Sequence, residues 1–363
     1  MALPPFVTTR LRLDPPLLAA LLLVAGFGLL VLYSASGQSI AQVTAQAIRM
    51  GVALVALLII AQIPPSVLRE LAPAGYAVGL VLLVVVLFAG DSGGGAQRWL
   101  DLGIRFQPSE IMKIAVPMAC AAYLHHRPLP PNFQSTAVIA IIIALPVALI
   151  ARQPDLGTAI LIGASGAIVL FLAGLRMRVI FALLAVVGAS LPLLWQNMRD
   201  YQRQRVLTLI DPQSDPLGAG YNIIQSKIAI GSGGLFGKGW TNGSQGQLEY
   251  LPERSTDFIF AVIGEEFGLL GLAGLMLVYL FIVGRGLYIA SQAPDTFSRL
   301  LAGSISLTFF VYVLVNTAMV TGLIPVVGVP LPLISYGGTS MVTLMGAFGI
   351  LMSIHTRKRF LPR

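Results

Sequence analysis

The chain has 363 residues, 56% of them hydrophobic and only 10% charged, and its mean hydropathy is +0.85. Soluble domains carry about 25% charged residues, so the composition excludes a soluble enzyme and indicates a polytopic membrane protein. The net charge of +8 reads as a topology signal and an attraction to anionic lipid, and it gives no argument for nucleic acid.

Apolar runs near the length of about 20 residues that a bilayer needs fall at 15–36, 46–63, 71–90, 109–125, 135–152, 157–174, 177–196, 257–290, 298–324 and 337–355. They predict an all-α fold of about ten transmembrane helices in a single membrane domain, 1–363. The first run is too long for a signal-peptide core and reads as an uncleaved helix, despite the small residues Ser34, Ala35 and Ser36. The run at 257–290 exceeds one span, so its ends are expected to project or tilt. Cys120 is a lone cysteine and excludes an internal disulfide, and His125, His126 and His355 form no metal cluster.

Orientation follows from Lys and Arg in the short loops. With the N-terminus inside, the cytoplasmic segments hold Arg10, Arg12, Arg69, Arg127, Arg176, Arg178, Arg285, Arg299, Arg357, Lys358, Arg359 and Arg363. The short outer loops hold Arg98, Arg105 and Arg152, with Arg49 near a helix end. Both termini are therefore expected in the cytoplasm.

Four polar clusters then face outward. The first is Gly95–Lys113. Glu110 and Lys113, three apart, share a helix face, either as a polar wall in a cavity or as a neutralised ion pair between helices. Arg98 and Arg105 offer planar forks for phosphate oxygens, or act as interfacial anchors beside Trp99 and Phe106. The second is Arg152–Gly157, where Asp155 either caps the next helix or lines the cavity. The third is the long loop 197–256, predicted to hold an amphipathic helix over Tyr221–Ile230 that carries Lys227. The glycine run Gly231–Gly239 is no phosphate loop, because Ser232 and Gly239 stand where that motif needs Gly and Ser/Thr. It is left as an anion-presenting backbone or a flexible turn. The fourth is Gly322–Ser340, too rich in proline and glycine for a helix and expected to be re-entrant, since irregular backbone at membrane depth must be buried or line a cavity.

Asp257 stands where the long loop enters an apolar helix, in Leu251-Pro-Glu-Arg-Ser-Thr-Asp-Phe-Ile-Phe260. A carboxylate half withdrawn from water has a raised pKa and a useful proton affinity. The competing reading is an acid in a first helical turn.

Together Gln97–Leu100, Phe106–Lys113, Gln153–Thr158, Ser226–Gly234, Leu251–Phe260 and Pro332–Gly338 resemble the SEDS family (shape, elongation, division and sporulation proteins) over nearly the whole chain. Val327–Pro332 and the short N-terminal tail resemble its elongation branch rather than its division branch. The resemblance implies a peptidoglycan glycosyltransferase of the bacterial inner membrane that polymerises lipid II into β-1,4 glycan at the outer face during cell elongation. It implies Asp257 as general base in one inverting displacement of undecaprenyl pyrophosphate. By position, Arg98, Arg105, Lys113 and Lys227 are candidates to stabilise the leaving group, and Glu110 and Asp155 to line the substrate site. A divalent cation, Mg or Mn, is the candidate cofactor. The implied partners are a class B penicillin-binding protein and other elongation-complex proteins. A lipid-precursor flippase, a division-type polymerase and a recruiting scaffold are the alternatives. A flippase needs alternating access, often with internal repeats and midplane polar groups, and neither is evident here.

Overall fold

The computed structural model describes residues 12–93, 96–101, 105–153, 155–198, 200–215, 218–247 and 250–357. In chain order the elements are α1 (Pro15–Ala35), α2 (Ile40–Gln62), α3 (Pro65–Ala89), β1 (Asp91–Gly93), β2 (Ala96–Asp101) and β3 (Arg105–Phe106). Then come α4 (Pro108–His125), α5 (Phe133–Arg152), α6 (Leu156–Leu172), α7 (Met177–Asn197), α8 (Asp200–Ile210), α9 (Ala219–Gly233) and α10 (Ser244–Gln247). The chain closes with α11 (Ile259–Ser291), α12 (Thr296–Val320) and α13 (Thr339–Thr356).

The ten long helices coincide with the ten apolar runs. Seven of them (α1, α2, α3, α5, α11, α12 and α13) are long and apolar enough to cross a membrane among the described residues. Helix starts follow local chemistry. Asp14, Ser39, Asn132, Asp155 and Asp295 accept hydrogen bonds from backbone N–H groups in the first turns of α1, α2, α5, α6 and α12. Proline opens α1, α3 and α4, where its missing donor costs nothing. Helices α2 and α3 begin six residues earlier than their apolar runs, because Gln42, Gln46, Arg69 and Glu70 belong to the first turns.

Helix α12 is the centre of the bundle, packed on α11, α6 and α4, while α13 packs on α2. Tyr279, Phe309 and Phe348 join α11, α12 and α13 through edge-on ring contacts at 5.6 and 5.1 Å. Outer faces of α2 and α3 expose Val52, Val55, Ile59, Val78 and Val81, as surfaces that face lipid do.

At 33 residues, α11 would measure about 50 Å as a straight helix, well beyond a hydrocarbon core of about 30 Å. The excess is resolved by a break rather than by tilt. Gly268 takes φ 66° and ψ −164°, a conformation closed to other residues. The carbonyls of Glu265 and Glu266 leave the helix ladder and accept from the N–H groups of Lys238 and Gly239, at 2.9 and 3.0 Å. The N–H groups of Leu269 and Leu270 donate in turn to Gly234 and Leu235, at 2.9 and 3.1 Å. The glycine run 231–239 is thus neither an anion cradle nor a free turn: it splices into the break and satisfies backbone groups that an apolar setting would leave costly. The break divides α11 into a short segment behind Asp257 and a crossing segment of ordinary length.

Between α3 and α4 the chain makes a small antiparallel meander, β1–β2–β3, with Asp91 opposite Trp99 and Leu100 opposite Phe106. It is a local addition to the helical bundle, and it carries Arg98. Residues 321–338 are irregular, as expected, with Leu331, Leu333, Ile334 and Ser335 buried. A side chain at Gly28 of α1 would stand 2.9 Å from the Ile334 backbone, so this segment lies directly against the bundle.

Candidate active site

The irregular segment and the loop before α11 lock together. Ser335 Oγ donates to the Thr256 carbonyl at 2.6 Å and the Tyr336 N–H to the Ser255 carbonyl at 2.9 Å. Asn316 of α12, fully buried, donates from Nδ2 to the Asp257 carbonyl at 2.9 Å and to the Val329 carbonyl at 2.7 Å. The backbone of Asp257 is therefore held from two sides. Its side chain is half-buried, faces Gly328, and accepts no hydrogen bond among the described residues, nor does it cap α11. Burial, helped by the nearby Glu253 charge, pushes the carboxyl up to about 6, against the opposing pull of Arg205 and Arg98. It is ionised at neutral pH and close to the pKa that suits a general base.

Arg98 links this acid to a second one. Its Nε lies 3.7 Å from Asp155 Oδ2, which also accepts from Gln107 Nε2 at 3.2 Å. Asp155 Oδ1 meanwhile takes the Thr158 N–H at 3.2 Å, so Asp155 both caps α6 and lines the site. One turn along α12 from Asn316 stands Tyr312. The Lys113 ammonium sits 5.1 Å from its ring and 2.5 Å from Glu110 Oε1. Both residues belong to α4, so this is an ion pair within one helix that faces α12, with Glu110 buried and Lys113 nearly so, yet Glu110 Oε2 has no hydrogen-bond partner among the described residues. The neighbouring Ser109 Oγ, Thr308 Oγ1 and Asn316 Oδ1 are equally unmatched. Buried polar atoms left open in this way mark room for water or a polar ligand.

A sequence profile described as FTSW_RODA_SPOVE, cell cycle protein, matches residues 15–360. The chain belongs to this family. Over 356 residues it is 52% identical to the peptidoglycan glycosyltransferase MrdB of Escherichia coli K12, covering 98% of this chain and 96% of that protein. It is 37% identical to the probable peptidoglycan glycosyltransferase FtsW of Trichlorobacter lovleyi, covering 96% of this chain and 94% of that one. Two solved structures share the fold. A chain of a peptidoglycan synthase complex, solved for the structural coordination of polymerization and crosslinking, superposes with a TM-score of 0.86 at 29% identity, over 97% of this chain and 100% of that one. The rod shape determining protein RodA of Thermus thermophilus gives 0.74 at 26% identity, over 98% and 99%.

In this FtsW/RodA-type bundle the structure gathers Asp257, Arg98, Asp155, Glu110 and Lys113 around the C-terminal half of α12. Lys227 stands apart. It is exposed on α9, and its stem lies against Gly322 beyond the end of α12. The backbone of Arg105 pairs with Asp101 in the meander, while its side chain lies outside the described residues. Three further residues join the site. Arg205 of α8 acts on Asp257, but in Asp200-Tyr-Gln-Arg-Gln-Arg205 nothing separates it from Arg203, which binds the carbonyls of Trp195 and Gln196. Asn316 had a signal, as a lone amide within an apolar run. So had Arg49, well inside α2, whose guanidinium lies 4.5 Å from the Tyr336 ring centroid. No group of three or more His, Cys, Asp or Glu able to hold a metal occurs among the described residues.

Proposed function

We propose that the chain is a peptidoglycan glycosyltransferase that polymerises lipid II at the outer face of the cytoplasmic membrane, with Asp257 as its general base. The observation that carries this reading is the Asp257 carboxylate itself: fixed through its backbone, free of hydrogen bonds among the described residues, raised to about 6 and under the charge of two guanidinium groups. An acceptor sugar hydroxyl gives its proton to Asp257 as its oxygen attacks the anomeric carbon of the donor. The bond from that carbon to the pyrophosphate breaks with inversion, so an α-linked donor yields a β-1,4 glycan. The leaving pyrophosphate carries its own stabilised charge and needs no strong acid. Arg98 and Arg205, facing the same acid, supply fixed positive charge for it. Lys113 and Glu110, one turn deeper, and Asp155 shape the polar wall of the site.

Among the described residues no group of three or more carboxylate, His or Cys donors gathers that could hold a resident metal. A divalent cation would therefore arrive on the substrate's phosphate oxygens, with one or two of these carboxylates beside it, and no step above depends on it. The basic helix ends opposite Asp257 support an orientation with both termini in the cytoplasm. Similarity to a chain from a polymerising and crosslinking complex supports a class B penicillin-binding protein as partner. At the far end of the bundle, Asp14, Arg285 and His355 tie α1, α11 and α13 together. A closure of that kind favours a polymerase over a flippase, which must open to both faces.

The test is glycan polymerisation from purified lipid II in detergent. Asp257→Asn is expected to lower the rate about 10²–10⁴-fold, and near-normal polymerisation by that variant would remove Asp257 as the base.

A further inference from the structure

A second lined cavity lies at the opposite end of the bundle from Asp257. It is a groove of about 480 Å³ between α3, α4 and α5. Its floor is Tyr76, Ala119, Ala122 and Ile142, and its rim carries Arg69 and His126. Its position along the helices is plain. The groove lies near the start of α3 and the end of α4, and His125 there reaches Asp295, which follows the far end of α11.

The sequence explains why the groove is open. Pro73 within α3 has no N–H for the Arg69 carbonyl, so the helix loosens on this side. Ala119 and Ala122 put almost no side chain between α3 and α4 at the same level. Behind them the Tyr76 hydroxyl donates to the Ile142 carbonyl at 2.8 Å and fixes α3 to α5. The result is an apolar trough with a polar mouth.

The mouth is basic. Arg69 gives one N–H to His125 Nε2 at 2.5 Å, and a guanidinium has five donors. Arg127 lies over the Tyr123 ring at 5.2 Å, and both His126 and Arg127 are exposed. Arg176 and Arg178 follow Gly174, which packs against Pro130 of the adjoining α4–α5 turn. Among the described residues the exposed Glu70 is the one acidic residue lining the groove, and it leaves the surroundings positive. An apolar trough at membrane depth, opening to cations at the level of the headgroups, matches one kind of molecule. Basic pockets between transmembrane helices on the cytoplasmic side are suited to anionic headgroups.

We propose that this groove binds an anionic phospholipid of the inner leaflet. The phosphate would rest on Arg69 and His126, and an acyl chain would run over Tyr76, Ala119, Ala122 and Ile142. The assignment rests on the charge-based orientation and is independent of the chemistry at Asp257.

The test uses the full-length protein, purified in detergent and incubated with phosphatidylglycerol and phosphatidylcholine in equal amounts, with bound lipid counted by native mass spectrometry. Wild type should retain phosphatidylglycerol selectively. Arg69→Gln should weaken that retention about fivefold, the size expected for one cation at a headgroup. Because Arg69 also contacts His125, Ala122→Leu provides a second variant: it fills the trough without touching a charge and should reduce retention comparably. sn-Glycerol 3-phosphate at the same concentration should not displace the lipid. Equal retention of the two lipids by wild type, or unchanged retention in both variants, would overturn the proposal. Displacement by the soluble phosphate would overturn it too, by marking a site for a free anion.

Discussion

Asp14 and Asp257 both precede a membrane helix, and the bundle treats them in opposite ways. Asp14 is fully buried and every part of it is matched. Oδ1 caps α1 through the Leu17 N–H at 2.9 Å, and Arg285 grips both oxygens at 3.2 and 2.7 Å. His355 Nε2 approaches to 3.1 Å. Burial alone would raise its pKa, but the Arg285 hydrogen bond, the Leu17 N–H and the two nearby charges hold it below the usual carboxylate range. Asp257 has its backbone held and its carboxylate unmatched by any hydrogen bond among the described residues, and it moves the other way. A saturated acid is a structural joint, whereas an acid fixed only through its backbone keeps its lone pairs for a substrate.

The largest expected effect is also the sharpest test of that contrast. Asp257→Asn should lose most of the polymerisation rate and yet melt no earlier than wild type, because it removes a charge whose burial outweighs the pull of Arg205 and Arg98. A variant that is inactive because it is unfolded would erase the distinction. Glu110 and Lys113 come next. Removing either partner strands a charge at a cost of roughly 3–5 kcal/mol, read as a lower melting temperature. Glu110→Gln with Lys113→Met should recover part of it, and a folded but inactive double variant would give the pair a role in the chemistry as well. Asp14→Asn should cost up to about 3 kcal/mol, less than a fully buried pair because Arg285 is partly exposed. Its rate per folded molecule should stay normal, and a specific loss of rate would break the comparison.

The pH dependences should diverge as well. Asp257 must be ionised to accept a proton, so kcat/KM should fall about tenfold per pH unit below about 6 and level off above it. Asp14 has a depressed pKa, so its stabilisation is complete above the unfolded carboxylate value of about 3.9 and is lost only as pH falls through the lower folded value. The Asp14 contribution to melting temperature should thus stay constant between pH 5 and 8, where the rate changes. The smallest effect is Arg98→Lys. It keeps the charge and loses the fork, so the initial rate against lipid II concentration should fall several-fold. Unchanged kinetics would return Arg98 to an interfacial role.

The ten helices were legible in the sequence because a span needs little more than about 20 apolar residues, and composition alone supplies that pattern. Asp257 was legible because an acid at a loop-to-helix boundary in apolar surroundings is rare enough to carry weight. Which of its two readings holds was not legible. Asp14, Asp155 and Asp257 all precede helices, and only the packed neighbours reveal that two of them cap a first turn and the third does not. The break in α11 was hidden for a related reason. Gly268 lies in an apolar run whose hydropathy it hardly changes, and its conformation depends on carbonyls and N–H groups supplied by residues 234–239. Arg205 and Asn316 reach Asp257 only across the fold. Sequence by itself determined the solvent, the spans and the acid most worth asking about, because those depend on local composition. Tertiary structure decided which groups are satisfied and which are left open, because hydrogen-bond partners and desolvation come from residues far away in the chain.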